Sequence, residues 1–142
     1  SRVRGGEFKG YSGKNYKNII VIGIGGSYLG PEFVYEALRF DESSRKASEG
    51  RNLRFLANVD PTDFYRGMHG LDIEETLFII NSKTFTTAET MLNARTVAAA
   101  IVDHYKTAHA DVDKSEFIKH HVVAGSTNIA ATKEFGIDEA NV

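Results

Sequence analysis

The sequence predicts an α/β fold, a three-layer sandwich in which a parallel sheet is flanked by helices, and three observations predict it. About four short apolar runs alternate with stretches of helical periodicity along the whole chain. The runs are β-branched and apolar on both faces, the pattern of strands covered from two sides in a parallel sheet. The chain has 142 residues, 42% of them hydrophobic, with no cysteine and a formal net charge of -2. A domain of that size buries roughly 68–70% of the surface its unfolded chain exposes, so one core can form without disulfides or structural metal.

The first strand is Asn18-Ile19-Ile20-Val21-Ile22-Gly23-Ile24, a continuous run that glycines end. Before it, Ser1 to Tyr16 carries Gly5, Gly6, Gly10 and Gly13 among aromatics and lysines and reads as a loop that packs on something. The organisation expected is one domain over residues 1–142, with a loop segment over 1–17 packed on it. After the strand, Pro31 suits the first turn of a helix in which Phe33, Val34, Ala37 and Leu38 fall at helical spacing. Asp41 to Asn52 is polar and reads as a mobile connection.

Leu53 to Val59 is the second strand, and Asp60 caps and Pro61 opens a short helix. Glu75 to Asn81 is the third strand. Thr86-Thr87-Ala88-Glu89 then offers a capping box to a long helix whose inner face is Ala88, Met91, Leu92, Val97, Ala98, Ile101, Val102 and Tyr105. Thr107 to Glu116 reads as a loop and His121-Val122-Val123-Ala124 as the fourth strand. Ser126-Thr127-Asn128 leads into a last helix that Gly136 stops. The chain then ends at Asn141-Val142, where a further element is due, and we expect a piece of a longer protein.

Composition excludes several classes of function. Without cysteine there is no thiol nucleophile, disulfide framework or zinc ribbon. The near-neutral charge and the sparse Arg2 and Arg4 argue against nucleic-acid binding. The longest apolar run, Ile19 to Ile24, is too short to span a membrane. His104 and His109 are five apart, off one helical face, and the adjacent His120 and His121 point oppositely if extended, so no metal site is expected.

In open parallel sheets ligands sit beyond the carboxyl ends of the strands. That rule selects Gly23 to Gly30, Asn81 to Thr87 and Gly125 to Asn128. The glycine turn fails the dinucleotide fingerprint, because Tyr28 stands where the third glycine belongs and no acid follows about 20 residues later. It fails the Walker A pattern because Pro31 and Glu32 replace the Lys and Ser/Thr. The alternative for this turn is a tight turn packing helix on sheet. Asn81-Ser82-Lys83-Thr84-Phe85-Thr86-Thr87 is more informative, with four hydroxyls and one lysine before a helix N-terminus. Such a terminus favours a nearby anion by roughly 0.3–1 kcal/mol, and each hydrogen bond to a charged partner adds about 1.5–3. Thr86 alone could equally be an N-cap. For Ser126-Thr127-Asn128, capping is the expectation.

Taken in order, Val21-Ile22-Gly23-Ile24-Gly25-Gly26-Ser27-Tyr28-Leu29-Gly30-Pro31 and Asn81-Ser82-Lys83-Thr84-Phe85-Thr86-Thr87-Ala88-Glu89-Thr90 resemble the glucose-6-phosphate isomerase (phosphoglucose isomerase) family. Phe8 to Lys14, Asn58 to Pro61, Ser126 to Asn128 and Lys133 to Asp138 extend the resemblance over most of the chain. It implies a flavodoxin-like sugar-isomerase (SIS) domain, the first of its parent. It further implies an aldose-ketose isomerase that interconverts D-glucose 6-phosphate and D-fructose 6-phosphate in glycolysis and gluconeogenesis, through ring opening and a cis-enediol, with no metal or nucleotide cofactor. Residues matching Ser82, Lys83, Thr84 and Thr87 hold the phosphate in that family and those matching Gly26 and Ser27 contact the sugar, Phe85 and Thr86 completing the substrate-binding stretch. The resemblance implies no catalytic residue here. The family's proton-transferring glutamate, ring-opening histidine and assisting arginine and lysine belong to motifs expected beyond Val142. A cytoplasmic homodimer is implied, with no nucleic-acid or membrane partner. Tyr28 departs from members that carry Asp there, which bears on local packing. The alternatives are a non-catalytic SIS module sensing sugar phosphates in a regulator and, less well matched, a nicotinamide dehydrogenase domain.

Overall fold

The apolar runs pair in parallel into one sheet. The computed structural model describes residues 2–142. Its strands are β1 (Asn18–Ile22), β2 (Asn52–Leu56), β3 (Thr76–Asn81) and β4 (Val122–Gly125), side by side in the order β2-β1-β3-β4. Ile20 lies in register with Arg54 on one side and Phe78 on the other, and Phe78 with Val122. Among the described residues six α-helices flank the sheet: α1 (Gly26–Leu38), α2 (Glu42–Ala47), α3 (Pro61–Met68), α4 (Ala88–Lys106), α5 (Lys114–His121) and α6 (Ile129–Phe135). The predicted α/β class and parallel sheet hold. No helix among the described residues is long and apolar enough to cross a membrane.

Pleating separates the two faces. Ile20, Ile22, Leu56, Phe78, Ile80 and Val122 share one face, all almost fully buried, under Met91, Ala94, Val97 and Ile101 of α4 and Phe117 and Ile118 of α5. Full burial of a side chain of this size is worth about 1.5–3 kcal/mol, so this layer carries the core. On the other face Ile19, Leu53, Phe55, Ile79 and Val123 stay half-buried. There α1 stands over Phe55 through the rings of Tyr28 and Tyr35 but buries none of its own residues, and Leu29, Phe33 and Leu38 are exposed.

Several boundaries differ from the sequence reading, each for a local reason. Pro31 sits inside α1 rather than in its first turn, because the helix already starts at Gly26. The polar stretch after Asp41 is not all connection. Asp41 accepts from the Ser44 amide and caps α2. The first part of the supposed loop over Thr107 to Glu116 is irregular, but Asp113 accepts from the Ser115 amide and starts α5, which carries His121 in its last turn rather than in β4. The inner face of α4 is Thr90, Met91, Asn93, Ala94, Val97, Ile101 and Tyr105. Ala88 and Leu92 turn outward instead. Asn93 is accepted inside because its Nδ2 donates to the Asn58 carbonyl at 2.9 Å. The cap at Asp60 and the stop at Gly136, left-handed at φ 99°, form as predicted.

The segment before β1 lies against α5 and the 3-10 turn Ile73–Glu75. Its Tyr11 amide donates to His121 Nε2 at 3.1 Å, its Tyr16 hydroxyl donates to the His120 carbonyl, and Lys14 pairs with Asp72 and Glu74. Tyr11 packs edge-on to Phe117 with ring centroids 4.8 Å apart. Ser1, the first residue of the segment read as a loop, lies outside the described residues.

Candidate functional site

Strand order alone locates a switch point. From β1 the chain moves outward to β2, then returns past β1 to β3 and continues to β4. The connections after β1 and after β3 therefore leave in opposite directions, which makes the carboxyl ends of these two strands the switch point where open α/β sheets bind ligands. The glycine turn follows β1 and the hydroxyl-rich loop follows β3. These are the two segments that carry the predicted site residues Gly26, Ser27, Ser82, Lys83, Thr84, Phe85, Thr86 and Thr87.

The turn after β1 is built on close approach. A Cβ on Gly23 would lie 3.0 Å from the Ser27 carbonyl oxygen and 3.1 Å from that of Asn81, both backbone atoms that cannot yield. Gly25 holds φ 57° and ψ -132° as the residue before α1, a conformation that side chains disfavour. One side-chain bond then joins turn and loop. Pro31 has no N–H to give the Ser27 carbonyl four residues back. The Asn81 side chain supplies the donor instead, Nδ2 to Ser27 oxygen at 2.8 Å. Asn81→Ala should orphan that carbonyl and lower stability by about 1–3 kcal/mol. Faster amide exchange at Tyr28 and Leu29, beside a lower urea midpoint, is the expected result, and unchanged exchange would show that the bond does not hold the turn.

The loop after β3 keeps its donors free. Ser82 is 3% exposed, yet its Oγ has no hydrogen-bond partner. Buried hydroxyls are paired as a rule, so a lone one at the foot of a polar loop is a marked feature. The Ser82 amide is used by the Gly125 carbonyl at 3.0 Å and that of Phe85 by the Ser82 carbonyl at 3.2 Å. The amides of Lys83, Thr84, Thr86 and Thr87 meet no acceptor among the described residues, and the first-turn amides of the 19-residue α4 follow them. The expected capping box does not form. Thr87 is the N-cap and its side chain makes no capping bond, while Thr86 Oγ1 donates to Thr84 Oγ1 at 2.8 Å.

Phe85 explains how the loop keeps this shape. Its φ is 57°, the only positive value at a non-glycine residue among those described, and its ring is 4% exposed, edge-on to Phe135. The ring anchors the loop in the core and holds a backbone geometry that bulky residues avoid. Lys83 and Thr84 are left exposed at the rim, where an ammonium and a hydroxyl meet solvent. The third predicted segment does more than cap. Asn128 Oδ1 accepts from the Ala131 amide, as an N-cap should, but Ser126, Thr127 and the Asn128 amide group all donate to loop carbonyls at Lys83 and Thr84. Tyr28, at the position of departure, donates to Glu32 at 2.7 Å, and that carboxylate raises its pKa.

Free amides and hydroxyls at the carboxyl end of the sheet, beside two helix N-termini, suit an oxyanion. The family profile described as phosphoglucose isomerase matches residues 1–142. The chain belongs to the phosphoglucose isomerase family. It is 49% identical over 140 residues to the cytosolic glucose-6-phosphate isomerase of Oenothera sinuata var. hirsuta, covering 99% of this chain and 23% of that protein. The cytosolic glucose-6-phosphate isomerase of Arabidopsis thaliana is likewise 49% identical, with 24% of its length covered. The chain thus spans about a quarter of the length of these family members. Among solved structures, a glucose-6-phosphate isomerase from Chlamydia trachomatis superposes with a TM-score of 0.60 at 25% identity, over 87% of this chain and 19% of that one. A hypothetical protein from Thermus thermophilus superposes with a TM-score of 0.62 at 26% identity, over 96% of this chain and 29% of that one. None of these relatives is named as a regulator.

Proposed function

We propose that this chain is the SIS domain that holds the sugar phosphate in a glucose-6-phosphate isomerase, an aldose-ketose isomerase acting on D-glucose 6-phosphate and D-fructose 6-phosphate. The observation that carries the reading is the buried, unpartnered Ser82 hydroxyl within a loop of free amides beside the glycine turn. Ser82, Lys83, Thr84 and Thr87 bind the phosphate, Thr86 orients Thr84, and Phe85 anchors the loop through its ring. Gly26 and Ser27 meet the sugar from the start of α1. The proton-transferring glutamate and ring-opening histidine belong to the rest of a parent about four times longer, on the relatives' proportions. That parent works as a homodimer in the cytosol, in keeping with relatives named cytosolic.

A ligand that binds only the folded state raises thermal stability by mass action. Glucose 6-phosphate and fructose 6-phosphate should raise the thermal midpoint of the chain in a concentration-dependent way, while glucose and NAD should not. A shift with NAD, or an equal shift with glucose, would overturn the assignment.

A further inference from the structure

The residues after β4 govern the shape of the loop after β3. The Lys83 carbonyl receives three donors: the Thr127 amide at 3.0 Å, Thr127 Oγ1 at 2.9 Å and Ser126 Oγ at 3.1 Å. The next carbonyl, of Thr84, receives Asn128 Nδ2 at 2.9 Å. A carbonyl oxygen has two lone pairs, so three donors on one oxygen is a crowded arrangement. In a planar trans peptide the C=O and the following N–H point in opposite directions. Drawing the Lys83 carbonyl toward β4 therefore turns the Thr84 amide the other way. Drawing in the Thr84 carbonyl fixes the Phe85 amide, which closes on the Ser82 carbonyl.

Capping does not require this. α6 is capped by Asn128 Oδ1, and the Thr127 amide by itself already ties the two loops together. The two hydroxyls are additional, and they act beside Phe85, whose positive φ is a strain that a slack loop would release.

We propose that Thr127 and Ser126 are positioning residues for phosphate binding: their hydroxyls clamp the Lys83 carbonyl so that the Thr84 amide and the loop hydroxyls are set for the anion before it arrives. This rests on the reading of the loop as a phosphate site. Neither residue touches the ligand. Their contribution is preorganisation, which appears as affinity.

The test is an amide-resolved NMR titration of the 142-residue chain with glucose 6-phosphate and with inorganic phosphate, in parallel for Thr127→Val, Ser126→Ala and Thr127→Ser. Valine keeps the shape of threonine and removes the donor. A net hydrogen bond changes an equilibrium by about two- to tenfold, so Thr127→Val should weaken both ligands by roughly that factor, Ser126→Ala by a similar or smaller one, and Thr127→Ser should restore binding. Cross-peaks of the sheet and α4 should stay in place, which separates lost positioning from lost fold. If Thr127→Val unfolds, Ser126→Ala and Thr127→Ser decide between them. Normal binding by the unsubstituted chain and equal binding by Thr127→Val, or by Ser126→Ala where valine unfolds the chain, overturns the clamp alone. No phosphate-dependent shift in the unsubstituted chain overturns the site reading and the clamp with it.

Discussion

Ser82→Ala is expected to raise the thermal midpoint of the chain and to lower its affinity for sugar phosphates. The two effects have one cause. Ser82 Oγ is buried without a partner in the free chain, and a group in that state is disfavoured by about 1–3 kcal/mol. Alanine removes it without enlarging the side chain, so a gain of a few degrees is predicted from the entropy of unfolding of a domain of this size. With phosphate bound, the same hydroxyl would have a charged acceptor, and its loss should weaken binding roughly ten- to hundredfold. Adding Thr84→Ala should deepen the binding loss and leave the fold intact, since Thr84 is exposed. Calorimetric unfolding and titration on the same sample check both. A lower midpoint with unchanged affinity would mean that Ser82 is a structural residue. Stability held back at a binding residue is what selection for function leaves behind.

The second large effect is at His121. It is fully buried, with Nδ1 2.9 Å from the Thr76 carbonyl, so that nitrogen carries the proton. Nε2 then accepts from the Tyr11 amide at 3.1 Å and from the Tyr105 hydroxyl at 2.9 Å. One imidazole thus joins β3, α4, α5 and the segment before β1. His121→Leu would leave two buried groups, the Thr76 carbonyl and the Tyr105 hydroxyl, without this partner at about 1–3 kcal/mol each, and the half-buried Tyr11 amide as well, a loss of several kcal/mol. Burial is the main cause that pushes the His121 pKa below its ordinary value, against the pull of the Thr76 carbonyl, with His120 and His104 lowering it further and Glu74 raising it. Above about pH 6.5 the ring is neutral in both folded and unfolded chains. As the pH falls below that value the unfolded chain takes up a proton that the folded chain refuses, so stability drops until the lower, folded pKa is reached. Urea midpoints should fall between about pH 7 and pH 5, and the slope should be shallower in His121→Leu. Equal slopes would show that His121 is not the group responsible. A separate loss belongs lower on the scale, where Glu74, its carboxyl held down to about 2 chiefly by Lys14 and then by His104, gives up its ion pairs. Those pairs are partly exposed, and pairs of that kind contribute little.

Which of these features the sequence can show follows from how far each depends on distant residues. The strand of Asn18 to Ile22 and the glycine turn are readable because a buried β-branched run and a Gly-rich break are local patterns. The hydroxyl-rich stretch Ser82 to Thr87 is readable for the same reason, once the strand-end rule says where to look. Helix α5 escapes a periodicity reading because only Phe117 and Ile118 of its eight residues are large and apolar, although Asp113 with Glu116 three residues on is a start signal that could have revealed it. The capping box at Thr86 is suggested by spacing and does not form, because α4 takes Thr87, one residue later, as its N-cap. No local pattern marks His121 as core, because its partners lie 16, 45 and 110 residues away. The same holds for Asn81 and Thr127, whose roles arise only where β1, β3 and β4 bring their loops together.

The central claim is that a phosphate handle is already formed in these 142 residues. Amide-resolved NMR of the chain during titration with glucose 6-phosphate, with glucose and NAD as controls, tests it most directly. We expect shifts centred on Ser27 and on Ser82 to Thr87 that appear with glucose 6-phosphate, persist with inorganic phosphate at Ser82 to Thr87, and are absent with glucose. A well-dispersed spectrum that does not move with glucose 6-phosphate, or one that moves with NAD, would contradict it.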